Sequence, residues 1–153
     1  MTSSVEVLDR SIQQTNLWLD DIATHMGAPD RQTAYQALRA VLMAVRDRIG
    51  IDNAAHLAAQ LPLMIRGIFY ENFHPHGTPT QEETRDAFLK KVSSLISPTV
   101  DADPAKATKA VLRVLYERID PNEVAKVAGL FPMPLRSLWP EETDVPGTRE
   151  GEA

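Results

Sequence analysis

Residues 34–49 read AYQALRAVLMAVRDRI and residues 104–119 read PAKATKAVLRVLYERI. Ala37, Ala40, Val41 and Leu42 of the first stretch fall, on a shift of seventy, on Ala107, Ala110, Val111 and Leu112 of the second, and Arg48 and Ile49 fall on Arg118 and Ile119. Apolar residues at spacings of three and four give a helix with a wide buried stripe. Chance periodicity can align one such helix, but here the register holds well outside it. Trp18, Leu19 and Ile22 fall on Phe88, Leu89 and Val92. Ala58, Leu61 and Pro62 fall on Ala128, Phe131 and Pro132, and Arg66, Ile68 and Phe69 on Arg136, Leu138 and Trp139. No gap is needed, although loops are where gaps arise first. The chain is two tandem copies of one helical unit of about seventy residues.

Proline and glycine divide each copy. A first helix is expected from about Val5 to Thr24, with Leu8, Ile12, Leu17, Trp18, Leu19 and Ile22 as its apolar positions, ending near Gly27 and Pro29. Asp30 is a good N-cap for a second helix reaching Ile49. Gly50 interrupts, a short helix follows through Leu61, and Pro62 stands where another begins. Residues 72–79 hold Pro75, Gly77 and Pro79 and read as a loop. Thr80 with Glu83 predicts a capping box before the next helix. In the second copy Asp103–Pro104 and Asp120–Pro121 read as N-cap followed by proline at the first helical position, with Glu123 completing a box on Asp120. The acidic stretch PEETDVPGTREGEA, 140–153, has little to bury and is expected to be a disordered tail from 141.

Composition narrows the function classes. Of 153 residues, 43% are hydrophobic, 24% charged and 6% aromatic, which is ordinary for a globular protein. The absence of cysteine removes disulfides, thiolate metal sites and cysteine nucleophiles, and fits a cytoplasmic protein. The N-terminus lacks the basic start and apolar core of a signal peptide, and no run approaches a membrane span. A net charge of −5 with scattered Lys and Arg argues against a nucleic-acid partner. No Walker A, dinucleotide fingerprint, HExxH or nucleophile-elbow pattern is present.

The stretch AVRDRIGIDNAAHLAAQLPLMIRGIFYENFHP, 44–75, resembles the bacterial domain-of-unknown-function family numbered twenty-two sixty-seven. Arg46-Asp47-Arg48, the LAAQLP of Leu57 to Pro62, the IRGIFY of Ile65 to Tyr70, and Phe73 with Pro75 carry the likeness. It extends over about residues 5 to 140. Phe73 stands where the family pattern has a tryptophan, and His74 and His76 are not part of that pattern. The resemblance implies tandem helical units with a degenerate second half, and it brings no established activity or catalytic residue.

Candidate site residues follow from comparing the copies, since positions shared by both serve architecture first. Arg48 and Arg118 sit near helix C-termini and suit the free carbonyls there. Arg66 and Arg136 follow a proline within an apolar segment, where a forked guanidinium bridges carbonyls or a carboxylate, or holds an anion. Gln60, Gly67, Tyr70, Glu71 and Asn72 are special to the first copy, and Gly67 reads as a point of close approach. His74 and His76, two apart, would face one side of an extended segment. With a carboxylate such as Glu71 as third ligand they would make a metal site, although a zinc usually takes three or four protein ligands; the alternative reading is an exposed, proline-stiffened linker that carries imidazoles.

The sequence therefore predicts an all-α protein in which repeat 1, about 5–75, and repeat 2, about 78–140, each of about four helices, pack as one domain. The expected role is a non-enzymatic interaction or scaffold module of the bacterial cytoplasm, with a protein partner or self-association, no cofactor, no nucleic acid and no membrane. Its expected contact residues are Gln60, Arg66, Tyr70 and Glu71. The alternative is a small-molecule (anion) or metal-binding protein, or an enzyme, using a cleft between the repeats.

Overall fold

The computed structural model describes residues 5–145, and every regular element among them is a helix. The first copy supplies α1 (Glu6–Met26), α2 (Arg31–Ile49), α3 (Ile51–Ala58) and α4 (Leu63–Phe69). The second supplies α5 (Arg85–Leu95), α6 (Pro104–Arg118), α7 (Pro121–Gly129) and α8 (Met133–Arg136). The starts of α3 and α7, and of α4 and α8, stand seventy residues apart, the shift read from the sequence.

Local chemistry sets these boundaries. Gly27 closes α1 at φ 72, in the left-handed region a glycine enters freely, and the next N–H, of Ala28, returns to the Ala23 carbonyl. The carboxylates of Asp30, Asp103 and Asp120 accept backbone N–H bonds from Thr33, Ala105 and Asn122 at the starts of α2, α6 and α7. The expected box at Thr80 and Glu83 does not form. The Thr80 N–H goes to the Asp47 carbonyl at 2.8 Å, which keeps this residue in the linker. Thr84 caps α5 instead, accepting from Ala87 N–H at 3.1 Å.

The packing crosses the repeat boundary. α1 lies against α6 as well as α2, and α2 lies against α5 and α6. Ala37, Ala40 and Ala44 on α2, with Ala107 and Ala110 on α6, are buried and let the helices approach closely. Trp18, Ile22, Leu38 and Leu42 share one apolar cluster with Phe88, Leu112, Leu115 and Phe131. Phe131 meets Phe88 and Trp139 edge-to-face, at centroid distances of 5.5 and 5.8 Å, the favoured geometry for aromatic pairs.

Two expectations about the ends are corrected. Of the apolar positions assigned to α1, Trp18, Leu19 and Ile22 are buried, but Leu8, Ile12 and Leu17 are 49%, 46% and 54% exposed. Leu17 faces away from Trp18 and Ile22 on the helix. Leu8 and Ile12 lie in the helix's first nine residues, 6–14, which precede the point equivalent to the start of α5, so no repeated packing partner covers them. The expected tail begins too early at 141. Glu142 pairs with Arg113, and Val145 is buried in the core cluster; the remainder, 146–153, lies outside the described residues.

A shared core should melt as one. In Trp18→Phe, tryptophan fluorescence reports the second copy, and in Trp139→Phe the first. Within each variant the urea midpoint by fluorescence is expected to coincide with that by far-UV circular dichroism. Separated midpoints would mean the copies fold independently.

Candidate functional site

The last turn of α2 organises the region that the copies do not share. Arg46 is only 2% exposed. Burying a guanidinium is costly unless hydrogen bonds and an opposite charge compensate it, and here Nε and Nη1 supply three such bonds. Nε donates to Asp47 Oδ1 at 2.9 Å, and Nη1 donates to the carbonyls of Phe69 and Glu71 at 3.0 and 2.7 Å. These carbonyls stand at and just beyond the end of α4, where intrahelical donors run out. The guanidinium carbon also lies 4.9 Å from the ring centroid of Phe73, within cation–π range. Lys91 on α5 approaches the other oxygen of Asp47 at 3.7 Å, and Arg48 Nε donates to the Glu82 carbonyl at 3.0 Å. One end of α2 thus gathers both ends of the linker between the copies.

The residues expected to form a contact site are distributed around this clamp. Tyr70 packs its ring against Phe69 and Phe73 at 5.1 and 5.5 Å. Glu71 accepts from Arg39 Nε at 3.1 Å, and Arg39 Nη1 reaches the Leu95 carbonyl at the end of α5. Arg66 donates to the carbonyls of Ala58 and Leu61, each at 3.0 Å, tying α4 to the end of α3. Arg136 makes the matching pair to Gly129 and Phe131 in the second copy. Arg48 and Arg118 diverge: the former holds the linker, whereas the latter leaves its own helix to pair with Asp21 on α1.

Gln60 is exposed and lines a cavity of about 480 Å³ between the copies, with Gln14, Trp18, Glu117 and Arg118. The charges there are internally engaged, Arg118 with Asp21 and Glu117 with Arg113 at 3.3 Å and with the His25 imidazole at 3.5 Å. Gln60, Arg66, Tyr70 and Glu71 therefore act in separate places, and Tyr70 and Glu71 belong to the wall built on Arg46. His74 and His76 are exposed. Among the described residues no group of three or more His, Asp or Glu side chains is disposed to hold a metal ion.

A second feature lies on the outer side of α1 and α4. The Ser11 hydroxyl, buried, accepts the Met64 N–H at 2.9 Å and seats the start of α4 on the N-terminal half of α1. Around that bond Leu8, Ile12, Leu63 and Met64 are each between 41% and 49% exposed. Gly67, one turn beyond Leu63 and Met64, shares their face of α4. A Cβ at Gly67 would meet nothing within 4 Å, so its lack of a side chain serves no contact inside the fold. In the sequence Leu8 and Ile12 stand with Trp18, Leu19 and Ile22 as apolar positions of the first helix. The signal that separates them is their place ahead of the repeated part of α1.

The chain matches the family model described as "Uncharacterized conserved protein (DUF2267)" over residues 15–138, and again over residues 85–152. The two matches begin seventy residues apart, at Thr15 and at Arg85, the first residue of α5. Leu8 and Ile12 lie outside both. No curated protein matches the chain.

Two substitutions separate architecture from surface. Arg46→Met strands the Phe69 and Glu71 carbonyls and is expected to cost about 3–5 kcal/mol in urea unfolding, whereas Tyr70→Phe keeps the ring packing and costs under about 0.5 kcal/mol. Gly67→Ala, in helical backbone facing open space, is expected to stabilise by roughly 0.4–1 kcal/mol. A loss of stability there would place a neighbour against Gly67.

Proposed function

This chain belongs to the family of uncharacterised conserved proteins DUF2267, and we propose that it acts as a non-catalytic helical interaction module. Its contact face in this reading is the outer side of α1 and α4. The observation that carries the reading is the set of four large aliphatic side chains, Leu8, Ile12, Leu63 and Met64, left half-exposed around the Ser11–Met64 bond. Scattered exposed apolar residues are normal on a protein, but a contiguous group marks a place where another chain is covered. Methionine and leucine adapt to a partner's shape, and the bare backbone at Gly67 admits close approach. Gln60 adjoins this region at the turn into α4. The partner is a protein chain with an apolar face of its own, a second copy included.

A second reading, a small-molecule site in the cleft between the copies, is favoured by the 480 Å³ cavity at Gln60. It would require a ligand that competes with the Arg118–Asp21 pair. A melting temperature raised by millimolar phosphate or citrate, and no longer raised in Gln60→Ala or Arg118→Ala, would move the assignment there.

The interaction reading is tested with a photo-crosslinking residue at position 12 in cells, against the same residue at exposed position 17. Position 12 is expected to give one adduct of defined mass and position 17 none. Gly67→Trp, which fills the open space, is expected to abolish the adduct while the melting temperature stays within a few degrees. Equal labelling from both positions, or none from position 12, would remove the face from consideration.

A further inference from the structure

The two copies treat one segment in different ways. After α4, residues 70–75 are fixed from below by Arg46 through the Glu71 carbonyl and the ring of Phe73, with the Phe69 carbonyl held just ahead of them. After α8, residues 140–145 occupy the same register, but Tyr116 stands at the position of Arg46. The buried clamp is replaced by an exposed one. Arg113 on α6, its guanidinium over the Tyr116 ring, donates from Nη1 to Glu142 Oε2 at 2.8 Å. That hydrogen bond holds the Glu142 carboxyl below its usual range, so the pair is ionised at neutral pH. Three residues further on, Val145 is buried.

The segment does not match its bed. Trp139 Nε1 and Thr143 Oγ1 are buried without a hydrogen-bond partner, at the positions that Phe69 and Phe73 occupy in the first copy. Buried polar groups are paired in the great majority of cases, so two orphans within the five residues 139–143 ask for an explanation. Cavities of about 360 and 300 Å³ border the same stretch and share Trp139, Pro140 and Glu141 in their walls. The first also takes in Lys109, and His25 and Arg113, which share Glu117 as a partner.

We propose that residues 140–145 are the resident, displaceable occupant of a peptide-binding groove on the second copy. The groove takes an extended acidic segment of another protein, with a carboxylate for Arg113 and a small aliphatic side chain three residues later in the place of Val145. The resident segment defines that chemistry. It also leaves room for a better ligand, since a segment offering a carbonyl or carboxylate to Trp139 Nε1 makes a bond the resident lacks. A covalently attached occupant competes at high effective concentration, so an outside segment gains entry only where it fits better or where the Arg113–Glu142 pair is weakened. This face is separate from that of α1 and α4, and the proposal stands without it.

The test uses the full chain carrying Trp18→Phe, so that Trp139 alone fluoresces, and an acetylated, labelled peptide of sequence PEETDV. Glu142→Gln, an exposed change, is expected to tighten peptide binding at least tenfold and to shift the Trp139 emission on binding. Adding Arg113→Glu should abolish that binding, whereas Leu8→Glu should leave it unchanged. Equal affinity with and without Glu142→Gln, or binding that survives Arg113→Glu, would overturn the proposal. Hydrogen exchange on the unaltered chain gives an arm that needs no variant. The Thr143 and Val145 amides, bonded to the Pro140 and Thr143 carbonyls, are expected to exchange at least tenfold faster than those of Leu135 and Leu138. Equal rates would make the segment an inseparable part of the core and would also overturn it.

Discussion

The buried guanidinium of Arg46 is the constraint on which the first copy and its linker depend. It is a charge almost wholly removed from water, and it persists because Asp47, two backbone carbonyls and an aromatic face surround it. Those partners come from α2, from the end of α4 and from the loop beyond it. The chain's path out of the first copy is therefore set by where one side chain must be satisfied. The neighbouring Asp47 and Arg48 extend the same hold to Thr80, Glu82 and Lys91, which carries it across to the second copy. A buried ion pair of this kind contributes less to net stability than a well-packed apolar cluster would, but removing one member leaves the others stranded. Its strength is in fixing one arrangement.

Duplication makes the difference between the copies readable. Arg66 and Arg136 do the same work on the turn before α4 and α8. Arg48 and Arg118 began as equivalents and now bind a linker carbonyl and a carboxylate on another helix. Tyr116 replaced the Arg46 position altogether, or the reverse, and the segment above it changed from a clamped wall to a strap held at its surface. Function in a tandem protein is expected where the copies have parted, and here they part at three places: the overhang of α1, the linker wall on Arg46, and the strap at 140–145.

The helices, their order and the all-α class were legible because they rest on local information. Periodic apolar residues, Asp before Pro, and Gly27 after α1 each act within a turn or two. The Thr80–Glu83 box failed because a nonlocal bond, to the Asp47 carbonyl, claimed the Thr80 N–H first. Arg46 stood out only as part of the family likeness, and its buried role was hidden for a related reason: an arginine in the last turn of a helix reads as solvated, and its carbonyl acceptors lie more than twenty residues away. Leu8 and Ile12 continue a perfectly good stripe, and only the extent of the neighbouring helices shows that the described residues leave them half-exposed. PEETDV has the composition of a tail, and its attachment depends on Arg113, whose role no local pattern reveals.

The closeness of α1 to α6 has a consequence for how the molecule is made. Asp21 and Arg118, joined in the folded protein, are separated by 97 positions along the chain. As synthesis proceeds from the N-terminus, α1 emerges with its apolar side exposed, and the helix that covers much of it does not exist until the second copy is largely complete. Contacts of such long range slow folding relative to those within a helical hairpin. The unit of sequence is thus the single copy, while the packing of α1 and α2 is completed only by helices of the second.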